Sequence, residues 1–255
     1  MTDPRPVAVV TNLDDPTADL VIAELHDRGV PVVRFDSGDF PATLACSAFI
    51  GGKAQQWHGS VQTPTRTAEL GTVRSLYYRR PSGFAFPHLD VRDARFAVAQ
   101  ARYGLGGVLA SLPGCLYVNH PHRIGDAEYK PAGLAAAAHL FQAQVDKAAD
   151  VHVTVVGERV FAVRIDSGLL DWRIDYSTHT YTPVVPPRDV RSALFAYLRH
   201  FGLVFGAFDF ALTPSGEWTF IECNPSGQWA WMEPPTGLPM TTAVADLLER
   251  GTHGT

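Results

Sequence analysis

A helix-start signal set between two apolar runs opens this chain, and that succession restricts the fold more than any other stretch. Val7–Thr11 (VAVVT) reads as a buried strand. Asp15-Pro16-Thr17 then starts a helix, with an acceptor side chain ahead of the first turn and a proline whose missing N–H is not needed there. Leu20, Val21, Ile22 and Leu25 keep roughly helical spacing up to Gly29, and Val30–Phe35 (VPVVRF) is a second strand. Strands joined by such a crossover lie parallel, so the chain begins as the βαβ unit of an open α/β sheet. No GxGxxG follows the first strand, which removes a dinucleotide site. The later Gly104-Leu-Gly-Gly107 falls within or after a helical stretch, where glycines serve a helix end or close packing.

Further on, residues 45–62 read as a hairpin with Gly51-Gly52 at its turn, and Val73–Tyr78 as a strand ending in Arg79-Arg80-Pro81. Residues 91–110 are helical, 116–118 form a short strand, Asn119–Arg123 is a domain joint, and a helix runs from Asp126 to His139. Two alternating runs, Val151–Asp166, surround Gly157-Glu158 as a hairpin. A helix at 189–201 and a last one from about Thr241 to Gly251 complete the pattern. The expected fold is therefore α/β (α+β): an open parallel-sheet domain over 1–122, then a domain with an antiparallel sheet over 123–255. A chain of 255 residues has room for two such cores.

The bulk numbers exclude several classes. A net charge of -5 argues against a nucleic-acid-binding surface spread over the protein. Nowhere do 18 apolar residues run together, and MTDPRP is no secretory leader, so the reading is no membrane and a cytoplasmic location. Cys46, Cys115 and Cys223 are odd in number, far apart and without zinc spacing, which fits a reducing compartment. No GxSxG occurs, and no Cys stands near a plausible His, so no hydrolase constellation is visible.

The richest segment is an acidic hairpin. Phe208–Thr213 and Trp218–Asn224 flank Pro214-Ser-Gly-Glu217. An uninterrupted ladder pairs Thr213 with Trp218, Leu212 with Thr219, and hence Asp209 with Glu222. Side chains so opposed stand about 5 Å apart, and like charges there destabilise the sheet. Alternation adds Asn224 to the same face. Two carboxylates and an amide oxygen call for a counter-charge, and an all-oxygen set suits magnesium, above all one completed by nucleotide phosphates. The plainer alternative is a solvated sheet end, and a bulge or three-residue loop would undo the pairing. His152 reads as an ordinary sheet residue, since no second His or Cys stands at ligand spacing.

These residues resemble the magnesium-binding end of ATP-grasp enzymes: Asp209, then Glu222-Cys-Asn224 within FIECNPSGQWAWME. Gly227-Gln-Trp229, Trp231 and the closing TGLPMTTAVADLL look like the peptide-maturase branch, the graspetide or microviridin-type macrocyclases, relatives of glutathione synthase and the ribosomal-protein glutamate ligases. VRFDSGDFPA, YYRRPSGFAFP and GLGGVLASLPGCLYVNHPHRIGDAEYKP fit that branch's pre-ATP-grasp domain, and FQAQVDKAADVHVTVVGERVFAVRID with Asp171-Trp-Arg173 fits its later strands. The resemblance implies a peptide-recognition-like pre-ATP-grasp domain at 1–122 and an ATP-grasp domain at 123–255. It implies phosphoryl transfer from ATP to a substrate carboxylate, giving an acyl phosphate that a Ser/Thr hydroxyl or Lys amine attacks to cross-link a ribosomal precursor peptide through ester or amide bonds. Asp209, Glu222 and Asn224 would hold Mg2+ against the ATP phosphates, Lys130 would bind phosphate, and Gln142 lies in the adenine-hinge segment. Arg173 would clamp the acyl phosphate, as a guanidinium can bidentately. Leader and core of the precursor are the implied partners, with a homodimer compatible.

The chain departs from that pattern after Lys130, where the helix runs directly into His139-Leu-Phe-Gln142. No apolar-apolar-Lys-Pro strand and no glycine-rich lid intervenes, the hinge reads Gln-Ala-Gln where Gln-Glu-Tyr is usual, and His152 stands where an arginine is expected. The ATP-grasp domain is thus expected to be truncated. Each charge-assisted bond to phosphate is worth roughly 1.5–3 kcal/mol, so the combined losses would weaken nucleotide binding by several powers of ten. The alternative class is therefore an inactive relative that binds the precursor or its leader, with Arg79, Arg80, Tyr77 and Tyr78 as candidate contacts.

Overall fold

The computed structural model of the chain describes residues 3–51, 56–128, 145–167 and 179–251. The chain divides into two compact units, Met1–Pro121 with Val244–Thr255, and His122–Ala243.

In the first unit, β1 (Val7–Val10), α1 (Pro16–Asp27) and β2 (Val32–Phe35) form the expected parallel crossover, with Val7 opposite Val32 and Val10 opposite Phe35. All four β1 residues are buried, as in a parallel strand covered on both faces, which explains its unbroken apolar run. The Asp15 carboxylate caps α1 by accepting the Ala18 N–H at 3.2 Å. β3 (Ala45–Gly51), β4 (Gln56–Gln62) and β5 (Thr67–Glu69) make a separate antiparallel sheet. β6 (Ser75–Tyr78), helix α2 (Val91–Leu109) and β7 (Leu116–Val118) complete the parallel sheet in the order β2-β1-β6-β7. Val10, Phe35, Leu76, Leu105 and Leu109 meet in its core.

The second unit includes helix α3 (Pro121–Glu128) from His122 on, and this helix starts five residues earlier than the expected Asp126. Pro121 suits a first helical turn, so Asn119–Arg123 contains a helix start where the sequence reads as a joint. Its antiparallel sheet has the order β10-β9-β8-β11-β12, from β8 (Ala149–Val156), β9 (Arg159–Asp166), β10 (Thr180–Val184), β11 (Phe205–Leu212) and β12 (Trp218–Asn224). Helix α4 (Arg188–Phe201) packs Leu194 and Leu198 against Val151, Val153, Val155, Phe208 and Phe210 on one face of that sheet. Alternation turns His152, Thr154, Ala207 and Asp209 to the other face.

After the short helix α5 (Glu233–Thr236), α6 (Met240–Arg250) carries the chain's last described turn back to the first unit. The Leu248 and Glu249 carbonyls, which a helix end leaves without internal donors, accept from Ser75 Oγ at 2.6 Å and Arg74 Nη1 at 2.9 Å. Arg28 binds Glu24, Asp246 and Glu249 at 2.8–2.9 Å. Among the described residues no helix is long and apolar enough to cross a membrane.

Candidate functional site

The hairpin brings Asp209 opposite Glu222, though by a route different from the simple ladder. Next to the turn the register is one residue off: Leu212 pairs with Trp218 and Ala211 with Thr219. Thr213 belongs to the loop, where its carbonyl accepts the Gly216 N–H and its own N–H donates to Glu217, both at 2.9 Å. A register shift between Asp209 and Phe210, with Ile221 as the extra residue of β12, then restores the pairing. Past that bulge Asp209 faces Glu222 and Ala207 faces Asn224, so the three predicted oxygen-bearing side chains share one sheet face.

β8 continues both rungs. His152 pairs with Asp209 and Thr154 with Ala207. His152 Nδ1 lies 2.6 Å from Asp209 Oδ1, with the histidine side chain 8% and the aspartate 28% exposed. The imidazole also meets Trp231 (centroids 5.9 Å), which meets Tyr181 (5.6 Å), whose hydroxyl lies 3.2 Å from His179 Nδ1. His152 is a sheet residue, as its alternation predicts, yet it is joined directly to the acidic face. The signal was the polar His and Thr at alternate positions of VHVTVV, which places both away from the α4 core.

The loop after β12 folds back over this face. Asn224 Oδ1 accepts the Ser226 N–H at 2.9 Å. A Cβ on Gly227 would stand 2.4 Å from the Ala207 Cβ, so only glycine lets the loop lie this close to the sheet. His152 Nε2, Thr154 Oγ1 and Ser226 Oγ are buried without hydrogen-bond partners among the described residues. Native proteins rarely leave such groups unpaired, and these three lie on and beside the face that carries Asp209 and Glu222.

An oxygen-coordinated cation fits the donor set here, two carboxylates and an amide. Among the described residues no three His, Cys, Asp or Glu side chains form a ready metal cage. A cation at Asp209 and Glu222 would thus draw further ligands from Asn224 and from outside the protein, as magnesium does with nucleotide phosphates. Cysteine chemistry is disfavoured: burial pushes the Cys223 and Cys115 thiols up to about 12, away from the reactive thiolate. Lys130, Gln142 and Arg173, and the junction at which the lid is expected to be missing, lie outside the described residues.

The proposed peptide contacts at the β6 end are corrected in part. Arg79 is 4% and Tyr77 2% exposed. Arg79 donates to Asp15 from Nε at 3.1 Å and Nη2 at 3.3 Å, and its guanidinium lies 5.5 Å from the Tyr77 ring centroid. It is an interior ion pair, whereas Arg80 is exposed.

Residues 7–125 match the family model described as the MvdD pre-ATP grasp domain. The chain is similar in structure to the macrocyclase MdnC of Microcystis aeruginosa MRC, crystallised with the precursor peptide MdnA. The identity is 22% and the TM-score 0.80, over 95% of this chain and 99% of MdnC. The RiPP-associated ATP-grasp ligase of Chryseobacterium gregarium, in complex with ADP and a leader and core peptide, gives 20% identity and a TM-score of 0.80 over 96% of each chain. The macrocyclase MdnB of Microcystis aeruginosa MRC gives 24% and 0.75, over 97% of this chain and 100% of its own. No curated protein sequence matches the chain. At these identities the structural likeness speaks for the fold.

Proposed function

We propose, from the match of residues 7–125 to the MvdD pre-ATP grasp domain model and from the likeness in fold to ATP-grasp macrocyclases, that the chain is an ATP-dependent carboxylate ligase that cross-links a ribosomally made precursor peptide. The observation that carries this reading is the single rung on which Asp209 and Glu222 face each other, with Asn224 on the same face. In such a ligase a substrate carboxylate takes the γ-phosphoryl group of ATP, and a Ser/Thr hydroxyl or Lys amine displaces phosphate from the acyl phosphate, closing an ester or amide. Catalysis of this kind is mostly positioning and charge neutralisation.

Asp209, Glu222 and Asn224 would hold magnesium, which neutralises charge on the ATP phosphates when bound. In this reading Lys130 binds phosphate, Gln142 lines the adenine hinge and Arg173 clamps the acyl phosphate. His152 Nε2, Thr154 Oγ1 and Ser226 Oγ, without partners among the described residues, offer further polar contacts on that face. The peptide relatives crystallised with MdnC and the Chryseobacterium ligase support a leader-and-core precursor as the partner. Three free cysteines suit a reducing cytoplasm.

The test is incubation of the purified protein with Mg-ATP and a candidate leader-and-core precursor peptide, read by mass spectrometry. Each cross-link removes one water from the peptide, and Glu222→Ala should abolish that loss. If the wild-type protein binds no Mg-ATP at millimolar concentration by calorimetry and leaves the peptide mass unchanged, the ligase reading fails.

A further inference from the structure

We propose that His152 is the positioning residue for the Asp209 carboxylate, fixing which carboxylate oxygen faces a bound cation; this rests on the ligase reading of the same face. An ionised carboxylate only accepts hydrogen bonds, so the 2.6 Å contact from His152 Nδ1 to Asp209 Oδ1 requires the proton on Nδ1. Among the described residues His152 is the donor that reaches this carboxylate through a side chain. The contact commits Oδ1 to the histidine and leaves Oδ2 as the oxygen for a cation shared with Glu222, the neighbour across the rung.

The histidine is itself held from three sides. Its backbone sits in the middle of the sheet, opposite Asp209 on β11 and Val163 on β9. Trp231 packs against its ring at an interplanar angle of 60°, and 6% of the residue is exposed. A ring so confined has little rotational freedom, and it transmits that restriction to an aspartate 28% exposed. With Nδ1 spent on Asp209, the histidine acts on the cation site through that carboxylate, and no three-residue His/Cys/Asp/Glu cage exists among the described residues. A hydrogen-bonded partner that orients a metal-binding carboxylate is worth roughly 10–100-fold in metal affinity.

Substitution separates orientation from bulk. Asn carries its side-chain nitrogen the same number of bonds from Cα as Nδ1, whereas the donor of Gln lies one atom further out and Leu has none. Binding of Mn2+ alone to the full chain, followed by electron paramagnetic resonance and checked against Mg2+ by calorimetry, should weaken roughly 10–100-fold in His152→Leu. His152→Asn should recover most of the loss, and His152→Gln should not. Equal Mn2+ affinity in wild type and His152→Leu, or Asn no better than Leu, overturns the assignment while leaving the ligase reading standing. Absence of Mn2+ and Mg2+ binding by the wild-type protein overturns the metal reading, and the positioning role with it. Should His152→Leu fail to fold, 15N spectra of histidine-labelled wild type decide: a protonated, hydrogen-bonded Nδ1 supports the role, and an unprotonated Nδ1 overturns it.

Discussion

Asp15 in the first unit and Asp209 in the second each hydrogen-bond a basic side chain that an adjacent strand supplies, and the two pairs are built for different ends. Both Asp15 oxygens are used twice. Oδ2 accepts from Thr11 Oγ1 at 2.7 Å and Arg79 Nε at 3.1 Å, and Oδ1 from the Ala18 N–H at 3.2 Å and Arg79 Nη2 at 3.3 Å. With side chains 0% and 1% exposed, this pair is closed to any ligand. It fills the carboxyl ends of β1 and β6, the place where the strand order reverses and open α/β sheets usually take a ligand. Among the described residues Asp209 instead has one side-chain donor, His152, with a second carboxylate across the rung and partial exposure. A completely partnered carboxylate serves the fold, and an incompletely partnered one beside another acid is the one free to meet a ligand, as the proposed function requires of Asp209.

The sharpest way to break that comparison is Arg79→Leu. Removing one partner of a buried pair leaves an uncompensated charge and costs about 3–5 kcal/mol, enough to unfold a marginally stable domain. Urea denaturation should show this loss, and a change below about 1 kcal/mol would mean that the pair is not structural. The same pair predicts a pH dependence. Burial pushes the Asp15 carboxyl up, but the hydrogen bond and charge of Arg79, with the Thr11 and Ala18 bonds, outweigh it and hold it below its ordinary value. Its contribution is therefore present above the usual aspartate value of about 4 and is lost as pH falls through the lowered one. Urea midpoints between pH 6 and pH 3 should fall more steeply for wild type than for Asp15→Asn, and parallel curves would remove Asp15 from the acid response.

A smaller effect is expected from Gly227→Ala in the second unit. The added methyl would meet Ala207 2.4 Å away, and overpacking of this kind costs typically about 1–3 kcal/mol. Because the same loop leads to Trp231 beside His152, its displacement should also change Trp fluorescence and weaken Mn2+ binding. Unchanged stability and unchanged Mn2+ affinity together would show that the loop does not rest on the sheet as described.

The contrast between the two carboxylates was only half legible in the chain. β1, α1 and β2 follow from apolar runs, a capping aspartate and a proline, all local signals. Arg79 was not readable, because parallel strands bury both faces and alternation then says nothing about which of two adjacent arginines turns inward. Asp209 opposite Glu222 was reached from the sequence, but through two departures that offset each other: Thr213 joined the loop, and a bulge at Ile221 restored the register. Bulges carry no dependable sequence mark. His152 needed the long-range pairing of β8 with β11, which no hairpin rule supplies. β10 was missed for a local reason, since Pro183 argues against a strand and is tolerated here on the sheet edge.

The least stability change should follow from Asp209→Asn, the substitution on which the comparison turns. The amide keeps the shape of the carboxylate and can still take a hydrogen bond from His152 through its oxygen. The residue is already partly in water, so no buried charge is stranded. Folding stability should therefore move by no more than about 1 kcal/mol, a fraction of the cost at Arg79. Cation binding should respond in the opposite proportion. A neutral amide beside Glu222 supplies half the negative charge of the original rung, and hard divalent cations depend on the number of charged oxygens. If Asp209→Asn instead unfolds the second unit while retaining Mn2+ affinity, Asp209 is a structural aspartate like Asp15, and the acidic face loses its claim to be the site.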